Sequence, residues 1–137
     1  VSFAHPLNIV VRSFFKNLNP IFEFRCFVHQ KELNAISQYL CYDVFKELQD
    51  EALVANIRKL IVEFHNETKV VLPYSDYVLD VFVDVDNGKV YIVEINPFGA
   101  GSSSGSALFE WKTDYALLYG QYAKKDLLPI FRVARRD

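Results

Sequence analysis

The chain has 137 residues, of which 51% are hydrophobic and 15% aromatic, and its net charge is −2. That length amounts to one domain, and the apolar content excludes an intrinsically disordered chain. The charge balance excludes the broad cationic surface that sequence-independent nucleic-acid binding needs, and no apolar run reaches the ~18 residues of a membrane-spanning helix. Neither direct nucleic-acid binding nor a membrane partner is expected. The sequence starts at Val1 and contains no Met. Residues 1–137 are therefore expected to form a single domain that is one part of a larger unit, with self-association of that part left open.

Residues 7–15 (LNIVVRSFF) read as a buried strand that ends at a turn cluster over 17–20. Residues 21–29 alternate, with Phe22, Phe24, Cys26 and Val28 on one side and Glu23, Arg25 and His29 on the other with Ile21 and Phe27. This is the pattern of a strand with one core face and one polar face. A turn at 30–32 and a returning strand over 33–39 complete a hairpin. Residues 44–66 read as a helix capped by Asp43, with Leu53, Ile57, Leu60, Ile61 and Phe64 forming a core-facing stripe. Residues 76–84 and 89–95 form the clearest hairpin, joined through Asp86-Asn87-Gly88.

The Gly/Ser-rich stretch 99–106 lacks the Lys-Ser/Thr ending of a P-loop and reads as a flexible surface loop more than a phosphate cradle. Residues 107–123 are expected to be helical in part, with Leu108, Phe109, Trp111, Leu117 and Leu118 packing back on the sheet. The fold class is α+β, an antiparallel sheet with helices on one face and a polar opposite face. Cys26 and Cys41 are expected to be free, buried thiols. His5, His29 and His65 show no metal spacing, no G-x-S-x-G elbow marks a serine hydrolase, and Arg132, Arg135 and Arg136 read as a solvated tail.

The chemistry concentrates on the second hairpin. Val78, Asp80, Phe82 and Asp84 share one face of its first strand, and Val90, Ile92, Glu94 and Asn96 share one face of its second. A two-residue Asn87-Gly88 turn sets Asp80 opposite Ile95. A three-residue loop, Asp86 to Gly88, pairs Val85 with Lys89 and sets Asp80 opposite Glu94 and Val78 opposite Asn96. The second register is preferred, because it gathers Asp80, Glu94 and Asn96 at facing positions ~5 Å apart. Two like charges held face to face call for a cation. Hard oxygen donors of this kind suit Mg²⁺, which takes one or two carboxylates together with phosphate oxygens. The plain alternative is that these acids coat a solvated sheet face. Arg25, on the polar side of its strand, is placed either to pair with Glu23 or a neighbouring strand's acid, or to meet an anionic ligand.

Asp80-x13-Glu94-x-Asn96-Pro97 resembles the metal-binding end of ATP-grasp proteins. The ordered set EFRCFV (23–28), AISQ (35–38), YVLDV (77–81), VEINPFG (93–99) and ALFEW (107–111) resembles the cell division cycle protein 123 family over residues 7–112. The resemblance implies the C-terminal part of an ATP-grasp-type fold, without the N-terminal half of that fold. It implies ATP with Mg²⁺ as cofactors, with Asp80, Glu94 and Asn96 as metal ligands and Arg25 on the phosphates. Asn8, Ile9, Val10 and Val11 would form the hinge whose backbone meets the adenine. It further implies a cytoplasmic assembly chaperone for eukaryotic translation initiation factor 2, acting through the gamma subunit and not turning over a substrate. An ATP-grasp ligase or phosphotransferase and a nucleotide-free scaffold are the alternatives. Glu94 stands where the family usually carries Asp.

Overall fold

The computed structural model describes residues 9–13 and 18–136. Among the described residues, five strands form one sheet: β1 (Glu23–His29), β2 (Glu32–Gln38), β3 (Tyr77–Asp84), β4 (Lys89–Asn96) and β5 (Ile130–Arg132), in the order β4-β3-β1-β2-β5. All neighbours are antiparallel except β2 and β5, which run parallel. The α+β class is as expected, with this one parallel edge added.

The long helix, α1 (Glu51–Thr68), lays Ile57 and Ile61 on the sheet face formed by Phe24, Cys26, Val28, Ile36, Leu79, Val81 and Val83. Both isoleucines are essentially inaccessible, and each such burial contributes about 1.5–3 kcal/mol. The helix starts seven residues later than the sequence pattern suggested. Its N-cap is Asp50, whose carboxylate accepts from the N–H groups of Ala52 and Leu53, and not Asp43. Buried Leu48 anchors a separate 3-10 turn (Glu47–Gln49) before it, and the Gln49 amide, bonded to the carbonyls of Phe45 and Ala134, holds that turn in place. The stripe begins only at Leu53, so Asp43 was too far upstream to cap it.

The first hairpin turns through just two residues, Gln30 and Lys31, with φ of 49° and 61°. Neither is a residue that favours the left-handed region. The turn is held from outside. Gln30 N–H donates to Asp76, Lys31 N–H donates to the Ser75 carbonyl, and Lys31 Nζ donates to the carbonyls of Lys69 and Leu72 at the end of α1.

Residues 9–13 are not a buried strand. No described strand pairs with them, and Ile9, Val10 and Val11 are 87%, 87% and 88% exposed. Their β-branched composition favours extended backbone, but a strand needs a partner for its N–H and C=O groups. Asn8 and residues 14–15 lie outside the described residues.

The second sheet face is only partly polar. Phe27, Ala35 and Val78 are covered there by Phe109 and Leu118, with Trp111 and Leu117 alongside. The helix in this segment, α2, is a single turn (Tyr115–Leu118). Arg132 clamps the segment: its guanidinium donates to both Asp114 oxygens and stands 4.2 Å over the Phe109 ring. Arg132 is thus a structural residue and not part of a solvated tail. Cys26 is buried and Cys41 half-buried, and both are free.

Candidate functional site

Cross-strand pairing builds a single row of side chains over the whole sheet. Glu94 faces Asp80, Asp80 faces Arg25, Arg25 faces Ser37, and Ser37 faces Arg132. Facing residues share a sheet face, and this row lies on the side away from α1. The left half of the row, on β4, β3 and β1, carries the acids; the right half is covered by the 107–118 segment.

The sequence-expected facing of Asp80 with Glu94 and of Val78 with Asn96 is present. The path to it differs. Asp84, not Val85, pairs with Lys89, so the connecting loop has four residues, and a β-bulge at Val93 then shifts the register by one. The bulge decides the site. Val90 and Ile92 pack on the α1 side, so strict alternation would carry Glu94 and Asn96 to that side too, into the apolar core. The extra residue turns them over to join Asp80. The expectation that Val90, Ile92, Glu94 and Asn96 share one face is therefore corrected, because one inserted residue reverses every side chain beyond it.

Asp80 is 1% exposed and its charge is met by Arg25. Arg25 Nε donates to Oδ1 and Nη2 to Oδ2, both at 2.8 Å, in the two-pronged geometry that makes guanidinium–carboxylate pairs strong. Arg25 Nη1 donates to the Gly105 carbonyl, and the guanidinium carbon lies 5.1 Å from the centre of the Tyr39 ring. Donating to the Asp80 carboxylate holds Arg25 even more firmly in its charged form. Asn96 Nδ2 donates to Asp80 Oδ2 at 3.2 Å. Glu23 completes the group: burial first, then the charges of Asp80 and Glu94, push its carboxyl above the ordinary carboxylate range against the pull of Arg25. Burial and the Asp80 charge likewise raise the Tyr39 phenol.

Arg25 bonds Asp80, while Glu23 and Glu94 add like charge beside the pair. The donor set offers hard oxygens and an excess of negative charge, which fits a divalent cation with phosphate oxygens completing its shell. Among the described residues, no group of three or more His, Cys, Asp and Glu side chains is arranged to hold a metal by itself. Asp80, Glu94 and Asn96 would be the holders.

The stretch 99–106 is tied down, not loose. Ser104 Oγ donates to the Pro97 carbonyl, Trp111 Nε1 to the Ser104 carbonyl, and Gly105 receives Arg25. Leu108 N–H, just beyond, donates to Ser37 Oγ. Phe98 is boxed by His29, Trp111 and Tyr119 at centroid separations of 5.4, 5.0 and 5.1 Å. The turn after Asn96 is thereby fixed on both sides.

Of the sequence-predicted residues, the structure brings together Arg25, Asp80, Glu94 and Asn96. Ile9, Val10 and Val11 stand exposed, with no described contact to this group. Sequence reasoning named Glu23 only as a possible partner of Arg25, and it missed Tyr39, the Gly105 carbonyl, and the stacked pair of Phe82 and Tyr91 (6.3 Å, 17° between planes) that borders Asp80 on its own face. Glu23 was findable, since it lies two residues from Arg25 on the same strand face. The Phe82–Tyr91 stack was not, because it depends on the four-residue loop that sets Phe82 opposite Tyr91.

The fold and site are those of an α+β sheet whose β3–β4 hairpin presents facing acids and a strand-end Asn on one face. Residues 3–136 match the family model described as D123, and the chain belongs to that family. A CDC123-like protein of Acanthamoeba polyphaga mimivirus is 32% identical over 108 residues, covering 74% of this chain and 32% of the relative. The translation initiation factor eIF2 assembly protein of Xenopus laevis is 36% identical over 99 residues, covering 69% of this chain and 27% of the relative. The solved structure of C-terminally truncated Cdc123 from Schizosaccharomyces pombe superposes with a TM-score of 0.70 at 24% identity, covering 89% of this chain and 43% of that one. The chain spans 32% and 27% of the length of the two curated relatives just described.

Proposed function

We propose that this chain supplies the magnesium and phosphate side of an ATP-binding assembly factor for eukaryotic translation initiation factor 2. In this reading Asp80, Glu94 and Asn96 hold Mg²⁺, Arg25 meets the phosphates, and the Phe82–Tyr91 stack offers an apolar wall beside them. The bound ion would neutralise phosphate and carboxylate charge together, and the role is assembly and not turnover. The factor acts in the cytoplasm on the gamma subunit. The observation that carries the reading is the facing of Asp80 and Glu94 across β3 and β4, with Asn96 bonded to Asp80 at the strand end. Asp80 is buried, Glu23 beside it is half-buried and Glu94 is exposed, and carboxylates facing each other across a strand pair repel unless a cation lies between them. That the Xenopus laevis relative is an eIF2 assembly protein supports eIF2 as the partner.

A capture experiment tests the partner. The tagged chain, incubated with recombinant gamma subunit, is expected to retain it, and more of it when Mg-ATP is present. No retention at micromolar concentrations, with or without Mg-ATP, contradicts the proposal.

One observation favours a second reading, a nucleotide-free scaffold: Arg25 already satisfies both Asp80 oxygens. In that case the acid group and the guanidinium are a structural pair, and partner capture is unchanged by nucleotide.

A further inference from the structure

The grip of Arg25 on Asp80 has a consequence for the order in which ligands enter. A metal ion that takes an Asp80 oxygen must share the carboxylate with a guanidinium bonded at 2.8 Å to each oxygen and with the Asn96 amide on Oδ2. It would also set a dication beside the Arg25 guanidinium, only 11% exposed, and the two cations repel. Glu23 and Glu94 compensate only in part. An anionic ligand removes both obstacles: it offers Arg25 new acceptor oxygens and brings negative charge to the metal. Arg25 is built for that exchange, because its planar fork fits carboxylate and phosphate alike.

We infer that Arg25 is a specificity-determining guard on Asp80, which admits a metal–polyphosphate complex and rejects the bare metal ion. The inference rests on the proposed Mg-ATP site and adds the coupling between its two halves. By linkage the coupling is reciprocal: the anion raises metal affinity by the same factor as the metal raises anion affinity.

The test is a Mn²⁺ titration followed by electron paramagnetic resonance, with Mn²⁺ alone and with Mn²⁺ plus β,γ-methylene ATP. Wild type is expected to bind Mn²⁺ at least about tenfold more tightly with the nucleotide analogue than without it. Arg25→Lys keeps the positive charge and loses the fork, so it is expected to bind Mn²⁺ alone at least about tenfold more tightly than wild type does. Arg25→Gln serves as the second variant, with circular dichroism reporting the fold of each. Equal wild-type affinity for Mn²⁺ with and without the analogue overturns the guard while leaving the Mg-ATP site standing. Wild type that takes up no analogue at any metal concentration sinks the Mg-ATP site. With no complex to admit, the guard falls with it; uptake of Mn²⁺ alone by Arg25→Lys and Arg25→Gln that is no tighter than by wild type overturns the guard while the Mg-ATP site stands.

Discussion

Breaking the Arg25–Asp80 pair from each side should give unequal losses of stability. The Asp80 side chain is 1% exposed and that of Arg25 is 11% exposed. Arg25→Met leaves Asp80 buried among the like charges of Glu23 and Glu94, and removing one partner of a buried pair costs about 3–5 kcal/mol. Asp80→Leu removes two charge-assisted bonds of about 1.5–3 kcal/mol each. Glu23 and Glu94 still compensate the guanidinium, so the net loss should be smaller, about 2–3 kcal/mol. The double variant replaces the pair by apolar groups of similar size, which is often near neutral. The cycle should therefore return a coupling of at least about 2 kcal/mol. Urea unfolding can be followed by the fluorescence of Trp111, the single tryptophan, whose ring packs against Phe27 and Phe98. Single variants that each lose less than about 0.5 kcal/mol, or losses that simply add, would refute the reasoning.

Three further perturbations probe the frame around the site. Gly120 has φ of +72°, and a Cβ there would stand 2.8 Å from Asn34 Oδ1; Gly120→Ala should lose about 2 kcal/mol or more in thermal or urea unfolding, and a neutral result would show that Asn34 gives way freely. His65 is held neutral by burial, with Nε2 donating to the Lys31 carbonyl. Its folded value lies below the unfolded one, so its stabilising effect is complete above about pH 6.5 and declines as pH falls through the lowered folded value; His65→Leu should flatten that limb of the stability–pH curve, and an unchanged slope would contradict the assignment. The Arg132 fork lowers the Asp114 carboxyl below the usual range, so Arg132→Lys should move it back up in an NMR titration, and no movement would place the cause elsewhere.

Local patterns carried the parts of the fold that are local. Alternation in 21–29 identified the two faces of β1, the apolar stripe identified α1, and the paired runs around Asp86–Gly88 identified β3 and β4. Non-local facts were out of reach. Arg25 meets Asp80 because β1 and β3 are neighbours in the sheet, and nothing in either segment states that pairing. The bulge at Val93 leaves no composition signal, yet it determines which face carries Glu94. Gln30 and Lys31 turn in left-handed backbone because Ser75, Asp76 and the end of α1 hold them, and their own preferences point the other way. For residues 9–11, β propensity was legible, but the presence of a partner strand was not. The facing of Asp80 with Glu94 was expected from a three-residue loop, whereas the structure reaches the same facing through a four-residue loop and the bulge together.

The central claim is that Asp80 and Glu94 together hold a magnesium–nucleotide complex. Calorimetric titration of Mg-ATP into wild type, Asp80→Asn and Glu94→Gln tests it most directly. The account predicts saturable binding to wild type that vanishes without Mg²⁺ and weakens at least about tenfold in each variant, in keeping with the loss of one charged ligand. Equal heats from all three proteins, or binding that ignores Mg²⁺, would contradict it.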